Sequence, residues 1–310
     1  MQLALMIEGQ EGVTWAQWQA LARACEGHGV GTLFRSDHYL NLDGQHPERG
    51  SLDAWATICA LASATSTLRL GTLVSPTSFR HPSVLAKVAA SADQISGGRI
   101  DVGLGAGWHE AEHHAYGFPF LEARQRMDVL AEQLEVIVGT WTQEDFSFDG
   151  EHYRIQGLRA EPRPVQSPHP PLIMGGMAGP RSALLAARFA DEYNTVYATV
   201  AEVNERRERI VQACEAAGRA PLPFSVMTVV ITGTDEGDLR RRTERVAHVR
   251  GVPAENLGGP GWIVGPLEEV VAQLGQLRAA GVHRVMCQHF AHDDLEFVEL
   301  VGRVLAPALA

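Results

Sequence analysis

Cysteine is scarce in this sequence. Its 310 residues include four, Cys25, Cys59, Cys214 and Cys287, widely separated and never in a C-x-x-C pair, which excludes a disulfide framework, a zinc ribbon and an iron–sulfur site. They read as buried free thiols in a reducing cytoplasm. Basic side chains are also outnumbered: 26 Lys and Arg against 37 Asp and Glu leave a formal net charge of −11. A nucleic-acid or anionic-membrane surface would have to be a local exception, and the one short basic cluster, Arg240-Arg241-Arg242, reads as a solvated helix face. Long apolar runs are missing too. The N-terminal Met1-Gln2-Leu3-Ala4-Leu5-Met6-Ile7 is too short to span a membrane and lacks the basic flank and small-residue cleavage site of a signal peptide. It reads as a first core strand. With 45% hydrophobic and 20% charged residues, what remains is a globular chain with a substantial core.

Apolar runs alternate with amphipathic ones in a β-then-α order. Strands are predicted over 2–8, 30–36, 68–74, 99–104, 172–174, 192–197, 223–231 and 282–289. Helices are predicted over 14–28, 52–65, 82–95, 121–140, 180–190, 201–217, 235–249 and 266–280. Alternation around Asp149-Gly150 predicts a hairpin, and Pro162, Pro164, Pro168, Pro170 and Pro171 an extended return, so a short insertion occupies about 142–170. Repeated βα units need right-handed crossovers and a parallel sheet; eight of them close into an α/β (β/α)8 TIM barrel, a single domain over 1–310. An open doubly wound sheet is the alternative. Barrel chemistry sits at the C-terminal ends of strands, which points to Glu8, Asp37-His38, Ser75-Pro76, Gly105-Ala106-Gly107-Trp108, Gly175-Gly176, Asn194 and Gln288.

One stretch offers a different chemistry. His109-Glu110-Ala111-Glu112-His113 matches H-E-x-x-H, in which two histidines one helical turn apart hold zinc and the glutamate activates water. Continuous helix on both sides is required for that geometry, yet the preceding Gly103-Leu104-Gly105-Ala106-Gly107 reads as a strand end and a turn. A zinc hydrolase therefore stays as an alternative from another class, and no metal is assigned. The same glycines fail the dinucleotide pattern G-x-G-x-x-G, whose last position falls on Trp108 or Glu110. They still let backbone come close to a flat or anionic ligand.

Four segments, taken in order, carry a resemblance. They are Phe34-Arg35-Ser36-Asp37-His38; Leu70-Gly71-Thr72-Leu73-Val74-Ser75-Pro76-Thr77-Ser78-Phe79-Arg80-His81-Pro82; Ser96-Gly97-Gly98-Arg99-Ile100-Asp101-Val102 with Gly103 to Glu110; and Ile173-Met174-Gly175-Gly176 with Ala190-Asp191-Glu192-Tyr193-Asn194. Over nearly the whole chain this set resembles the bacterial luciferase-like monooxygenase superfamily, and more closely its coenzyme F420-dependent oxidoreductases. The resemblance implies a (β/α)8 barrel binding deazaflavin, or alternatively FMN, at its C-terminal mouth, in a cytoplasmic homodimer that acts on a small molecule.

On that resemblance Asp37 and His38 are the catalytic pair, with His38 beside the redox ring as proton donor. Thr72, Leu73 and Val74 form the end of the third strand, where relatives carry a non-proline cis peptide. Ser75, Thr77, Ala106, Trp108 and His109 join the cofactor face. Gly175, Gly176, Ala178 and Gly179 resemble a phosphate-binding turn, since anions favour helix N-termini. Glu8, Glu110 and Asn194 fall on the substrate side. The chain departs from the family at one point. Deazaflavin-dependent sugar-phosphate dehydrogenases place a glutamate directly after the glycine turn, where this chain has Trp108, which argues against that substrate and leaves Glu110 or Glu112 to supply a carboxylate. Hydride transfer between F420 and a small organic substrate is the expected function, with reduced-FMN monooxygenation as the alternative.

Overall fold

The computed structural model describes residues 1–42, 44, 46 and 48–310. In its first strand, β1 (Gln2–Ile7), Ala4 and Met6 join an apolar cluster with Phe34, Ile173, Met227 and Met286. Leu3, Leu5 and Ile7 point the other way and join the larger core shared with the helices. Successive side chains of a strand alternate between faces, so a continuous apolar run is what burial on both faces requires.

The other barrel strands are β2 (Thr32–Arg35), β3 (Arg69–Thr72), β4 (Ile100–Gly105), β5 (Leu172–Gly175), β6 (Glu192–Val196), β7 (Phe224–Ile231) and β8 (Arg284–Gln288). Each pairs in parallel with the next, and β8 pairs with β1. The sheet therefore closes on itself, and the open doubly wound alternative is excluded. The expected eight strands are all present. Each expected helix is present too, from Trp15–His28 to Leu267–Ala279. Inside the insertion, Phe146–Asp149 pairs antiparallel with Arg154–Leu158. Outside the eight expected helices, Glu110–Tyr116 extends what the sequence reads as a loop and first helical turn after β4, and Ala254–Asn256, Leu295–Leu300, Val301–Leu305 and Ala306–Ala308 are additional. Each is shorter than the window over which helical periodicity is legible. No helix among the described residues is long and apolar enough to cross a membrane.

The N-terminal end of the barrel is filled by ions. Arg284 donates to Glu192 Oε2 at 2.5 Å and to Asp101 Oδ2 at 3.3 Å, with its guanidinium 4.9 Å from the centroid of the Phe34 ring. Arg69 reaches the other oxygen of Asp101. Such a cluster is tolerable inside a barrel because each charge meets an opposite one.

Glycines in β4 set the spacing at the opposite end. A Cβ on Gly103 would lie 2.1 Å from the Thr72 carbonyl oxygen, and one on Gly105 would lie 2.7 Å from Val74 Cγ2. Gly103→Ala is accordingly expected to lower stability by about 1–3 kcal/mol through overpacking against backbone that has no rotamer to escape into. Urea unfolding would check it, and an unchanged midpoint would contradict this account of the spacing.

Candidate functional site

With its lower end closed, the barrel opens at the C-terminal ends of its strands into a cavity of about 760 Å³. One wall is nearly bare backbone: Gly105, Ala106 and Gly107 after β4, and Gly175 and Gly176 after β5, with Leu73 and Val74 from the end of β3. The Leu73–Val74 peptide is cis. Val74 sits where side chains on β4 and β5 would otherwise stand, since a Cβ on Gly175 would meet it at 3.1 Å. The facing wall holds Glu8, Gln10, Met227, Gln288 and Phe290, and Met127, Leu130 and Met177 add apolar surface.

His38, just beyond β2, borders this cavity. Its Nδ1 lies 2.8 Å from Glu112 Oε2, on the helix Glu110–Tyr116. Glu112 is fully buried, and its other oxygen accepts the backbone N–H of Leu40 at 3.0 Å and that of Tyr39. Burial works against a charged imidazole, but the Glu112 hydrogen bond and charge, helped by Glu8 and Asp37, outweigh it and hold the His38 pKa above its ordinary value. Burial likewise pushes Glu112 up, and the His38 bond and charge with the two amides overcome it, leaving the carboxyl below its ordinary value. The two shifts agree: the pair prefers imidazolium and carboxylate. His38 Nε2 has no hydrogen-bond partner among the described residues. The rings of Trp108 and His109 stand edge-on to His38 at 5.8 and 6.1 Å, and burial pushes the pKa of His109 down.

Glu8 is held differently. Gln10 Nε2 donates to one of its oxygens at 2.8 Å and Gln288 Nε2 to the other at 2.5 Å. The far ends of both amides are fixed in turn: Ser36 Oγ donates to Gln10 Oε1 at 2.6 Å, and the Tyr197 hydroxyl donates to Gln288 Oε1. Each amide thus has one orientation that satisfies its neighbours, with its NH2 toward Glu8. Asn194 also lines the cavity and donates to Ser225 Oγ at 3.0 Å.

Other expected site residues lie behind the walls. Asp37 is buried away from the cavity, taking Ser75 Oγ at 2.6 Å and Arg80 Nη1 at 2.5 Å on one oxygen. Ser75 also accepts the Trp55 indole at 3.1 Å, and Thr72 bonds the Gly103 carbonyl at 3.1 Å. Glu110 is exposed, 3.9 Å from His114. Thr77 faces a smaller neighbouring pocket. In the turn expected to hold phosphate, Gly179 caps the helix Pro180–Phe189 without a side-chain bond. Two of that turn's amides are already engaged: Gly176 N–H by the Asn194 carbonyl at 3.0 Å and Ala178 N–H by the Tyr193 hydroxyl at 2.8 Å.

The zinc pattern is broken up: His109 stands at the helix N-cap, Glu110 is exposed and His113 is engaged on both ring nitrogens. His113 Nδ1 is 2.8 Å from the His109 carbonyl and its Nε2 is 2.6 Å from Ser78 Oγ. Sequence reasoning left open whether Glu110 or Glu112 supplies a carboxylate. The signal that separates them is helical: positions 109, 112, 113 and 116 share one face, and 110 does not.

The fold is a parallel barrel with a glycine-walled mouth, and comparison with known proteins gives the family to which it belongs. The chain belongs to the luciferase-like monooxygenase family, whose pattern it matches over residues 3–260. It is similar to an uncharacterized protein of Mycobacterium tuberculosis, with 32% identity over 233 residues, 71% of this chain and 80% of that one. It also resembles the FMNH2-dependent dimethylsulfone monooxygenase of Pseudomonas putida, 34% identical over 58% of this chain and 49% of the enzyme. Against the F420-dependent hydroxymycolic acid dehydrogenase of M. tuberculosis the identity is 32%, over 65% and 54%. The fold is shared with an F420-dependent secondary alcohol dehydrogenase, at a TM-score of 0.85 and 19% identity over 100% of this chain and 99% of that one.

The His38–Glu112 pair has a defined pH signature. A raised histidine stabilises the fold fully below its unfolded value of 6.5 and loses that contribution as pH rises through its folded value. A depressed glutamate contributes above its unfolded value of 4.5 and loses it as pH falls through its folded one. The stability difference between the native chain and Glu112→Gln should therefore peak between those two values and shrink as pH rises above them. NMR titration should show the His38 pKa lower in Glu112→Gln, and an unmoved titration would contradict the pairing.

Proposed function

We propose that the chain is an F420-dependent oxidoreductase that exchanges hydride with a small organic substrate, using His38 as the proton donor and acceptor. The observation that carries the reading is the His38 ring at the cavity edge, one nitrogen on buried Glu112 and the other without a protein partner. The cavity suits a flat tricyclic ring on the evidence of its own wall: side chains on Gly105 or Gly175 would collide with or crowd Val74, so that face is as flat as a backbone can be. Leu73, Val74, Ala106 and the two glycine pairs would hold such a ring. When bound, the deazaflavin supplies or accepts the hydride.

The remaining work falls to the chain. In the reducing direction the substrate carbonyl oxygen takes a proton from His38 Nε2; in the oxidising direction the hydroxyl gives its proton back. Glu112 fixes the tautomer by accepting Nδ1–H and stabilises the imidazolium, so that the proton is exchanged at Nε2. Glu8, held by two amides and turned to the cavity, offers an acceptor to a second polar group of the substrate. Met127, Leu130, Met177, Met227 and Phe290 exclude water around the apolar remainder. A small-molecule substrate and a homodimer belong to the same reading by family resemblance, and a cytoplasmic setting by the four free cysteines. A second reading, reduced-FMN monooxygenation, is favoured by the likeness to the dimethylsulfone monooxygenase.

Titration with F420 and with FMN, each oxidised and reduced, separates the two. Micromolar or tighter binding of F420 alone supports the first reading, of FMN alone the second, and of neither removes both. His38→Ala should leave cofactor affinity largely intact while lowering turnover by about 10²–10⁴-fold. Unchanged turnover would remove His38 from the chemistry.

A further inference from the structure

Beside the main cavity lies a second pocket of about 300 Å³. Ala106 borders both. Two further elements join them: His113 lines the cavity while its Nε2 holds Ser78 of the pocket, and the helix Ala123–Thr142 turns Met127 and Leu130 to the cavity but Arg126 and Val129 to the pocket. The two spaces are neighbours that share Ala106 as a border.

Their linings differ in charge. Glu8, Glu11, Glu112 and Arg250 line the main cavity, with Glu112 paired to His38 and Glu11 to Arg49. Arg80, Arg126, His81 and His152 line the pocket, and no carboxylate does, in a chain whose net charge is −11. Arg80 is neutralised by Asp37 and Asp53. Arg126 is not. It has no ion pair among the described residues; its Nη1 donates to the Leu121 carbonyl at 2.6 Å, its guanidinium lies 4.3 Å from the centroid of the Phe120 ring, and its enclosed Nε donates to nothing. Glu132, on the same helix, is turned to the Glu151, His152 and Tyr153 amides. A half-buried guanidinium lacking a carboxylate, flanked by the hydroxyls of Thr77, Ser78 and Tyr153, is a site for an anion with several oxygens.

F420 and FMN differ in the charge they carry beyond the ring and its ribityl chain. FMN ends in one phosphate, whereas F420 continues through a phosphodiester into a run of carboxylates. In the main cavity the Glu8 carboxylate meets only amides and no cation among the described residues, and the glycine turn after β5 has two amides already spent. We propose that the second pocket is an anion-binding annex of the main cavity and takes the acidic tail of F420, an inference that rests on the F420 reading above. Arg126 is its principal contact, and the annex is what makes the chain prefer the longer, more charged coenzyme.

Fluorescence titration of the full chain with F420 and with its tail-free riboside, which has the same ring and ribityl chain but neither phosphate nor carboxylates, tests the proposal. Arg126→Gln should weaken F420 binding about tenfold or more, the loss of a charge-assisted bond, while riboside affinity stays within about twofold of the native value. Arg126→Lys should restore most of the F420 affinity, and added salt should weaken F420 binding more in the native chain than in Arg126→Gln. Equal weakening of both ligands, or of neither, overturns the annex while F420 binding itself stands. So does an Arg126→Gln chain that keeps its F420 affinity but raises the KM of the substrate, because the anion held is then the substrate's. If the native chain binds neither F420 nor the riboside, the functional reading falls and takes the annex with it.

Discussion

One carboxylate, that of Glu112, ties together the parts of the site that distant stretches of sequence supply. It is buried on a seven-residue helix after β4 and accepts from His38, Tyr39 and Leu40 in the loop after β2. A buried carboxylate needs every available donor, so the loop is drawn onto the helix and His38 is left with one way to face. The helix is held in turn by His113, locked between its own first turn and Ser78. Remove the charge at position 112 and both the direction and the protonation of His38 lose their cause.

The glycines provide the complementary constraint, which is spatial rather than electrostatic. Val74 occupies room released by Gly103, Gly105 and Gly175, and in doing so forms the surface against which a flat ligand can rest. Glycine in a strand interior has a cost in stability; here it falls on the strands that face the cavity. The largely apolar runs of β1 and β7 are buried on both faces, and the lower end of the barrel is secured by Arg284, Asp101 and Glu192.

The barrel itself was legible because its signals are repetitive: eight apolar runs, each separated by an amphipathic stretch, give periodicity many chances to show. His38, Leu73, Val74, Ala106, Trp108, His109, Gly175, Gly176, Glu8 and Asn194 were expected at the mouth, and each borders the cavity. Asp37, Thr72, Ser75 and Ala178 were expected on the same face and lie behind it. Adjacent residues at a strand end point to opposite sides, and a motif read as a string cannot say which one faces in. The His38–Glu112 bond joins residues 74 positions apart, and nothing local in either segment announces it. The literal H-E-x-x-H match was informative in an unintended way: the helical spacing it requires is real, but its inward face carries Glu112 and His113 for hydrogen bonding within the protein.

The ion plug at the lower end of the barrel has a consequence for traffic. With Arg284 and its two partners at one end and the buried layer of Ala4, Met6, Phe34, Ile173 and Met286 beside them, the chamber that His38 borders lies toward the C-terminal ends of the strands. In a chamber with one mouth, a ligand resting against the glycine wall would be covered by whatever followed it.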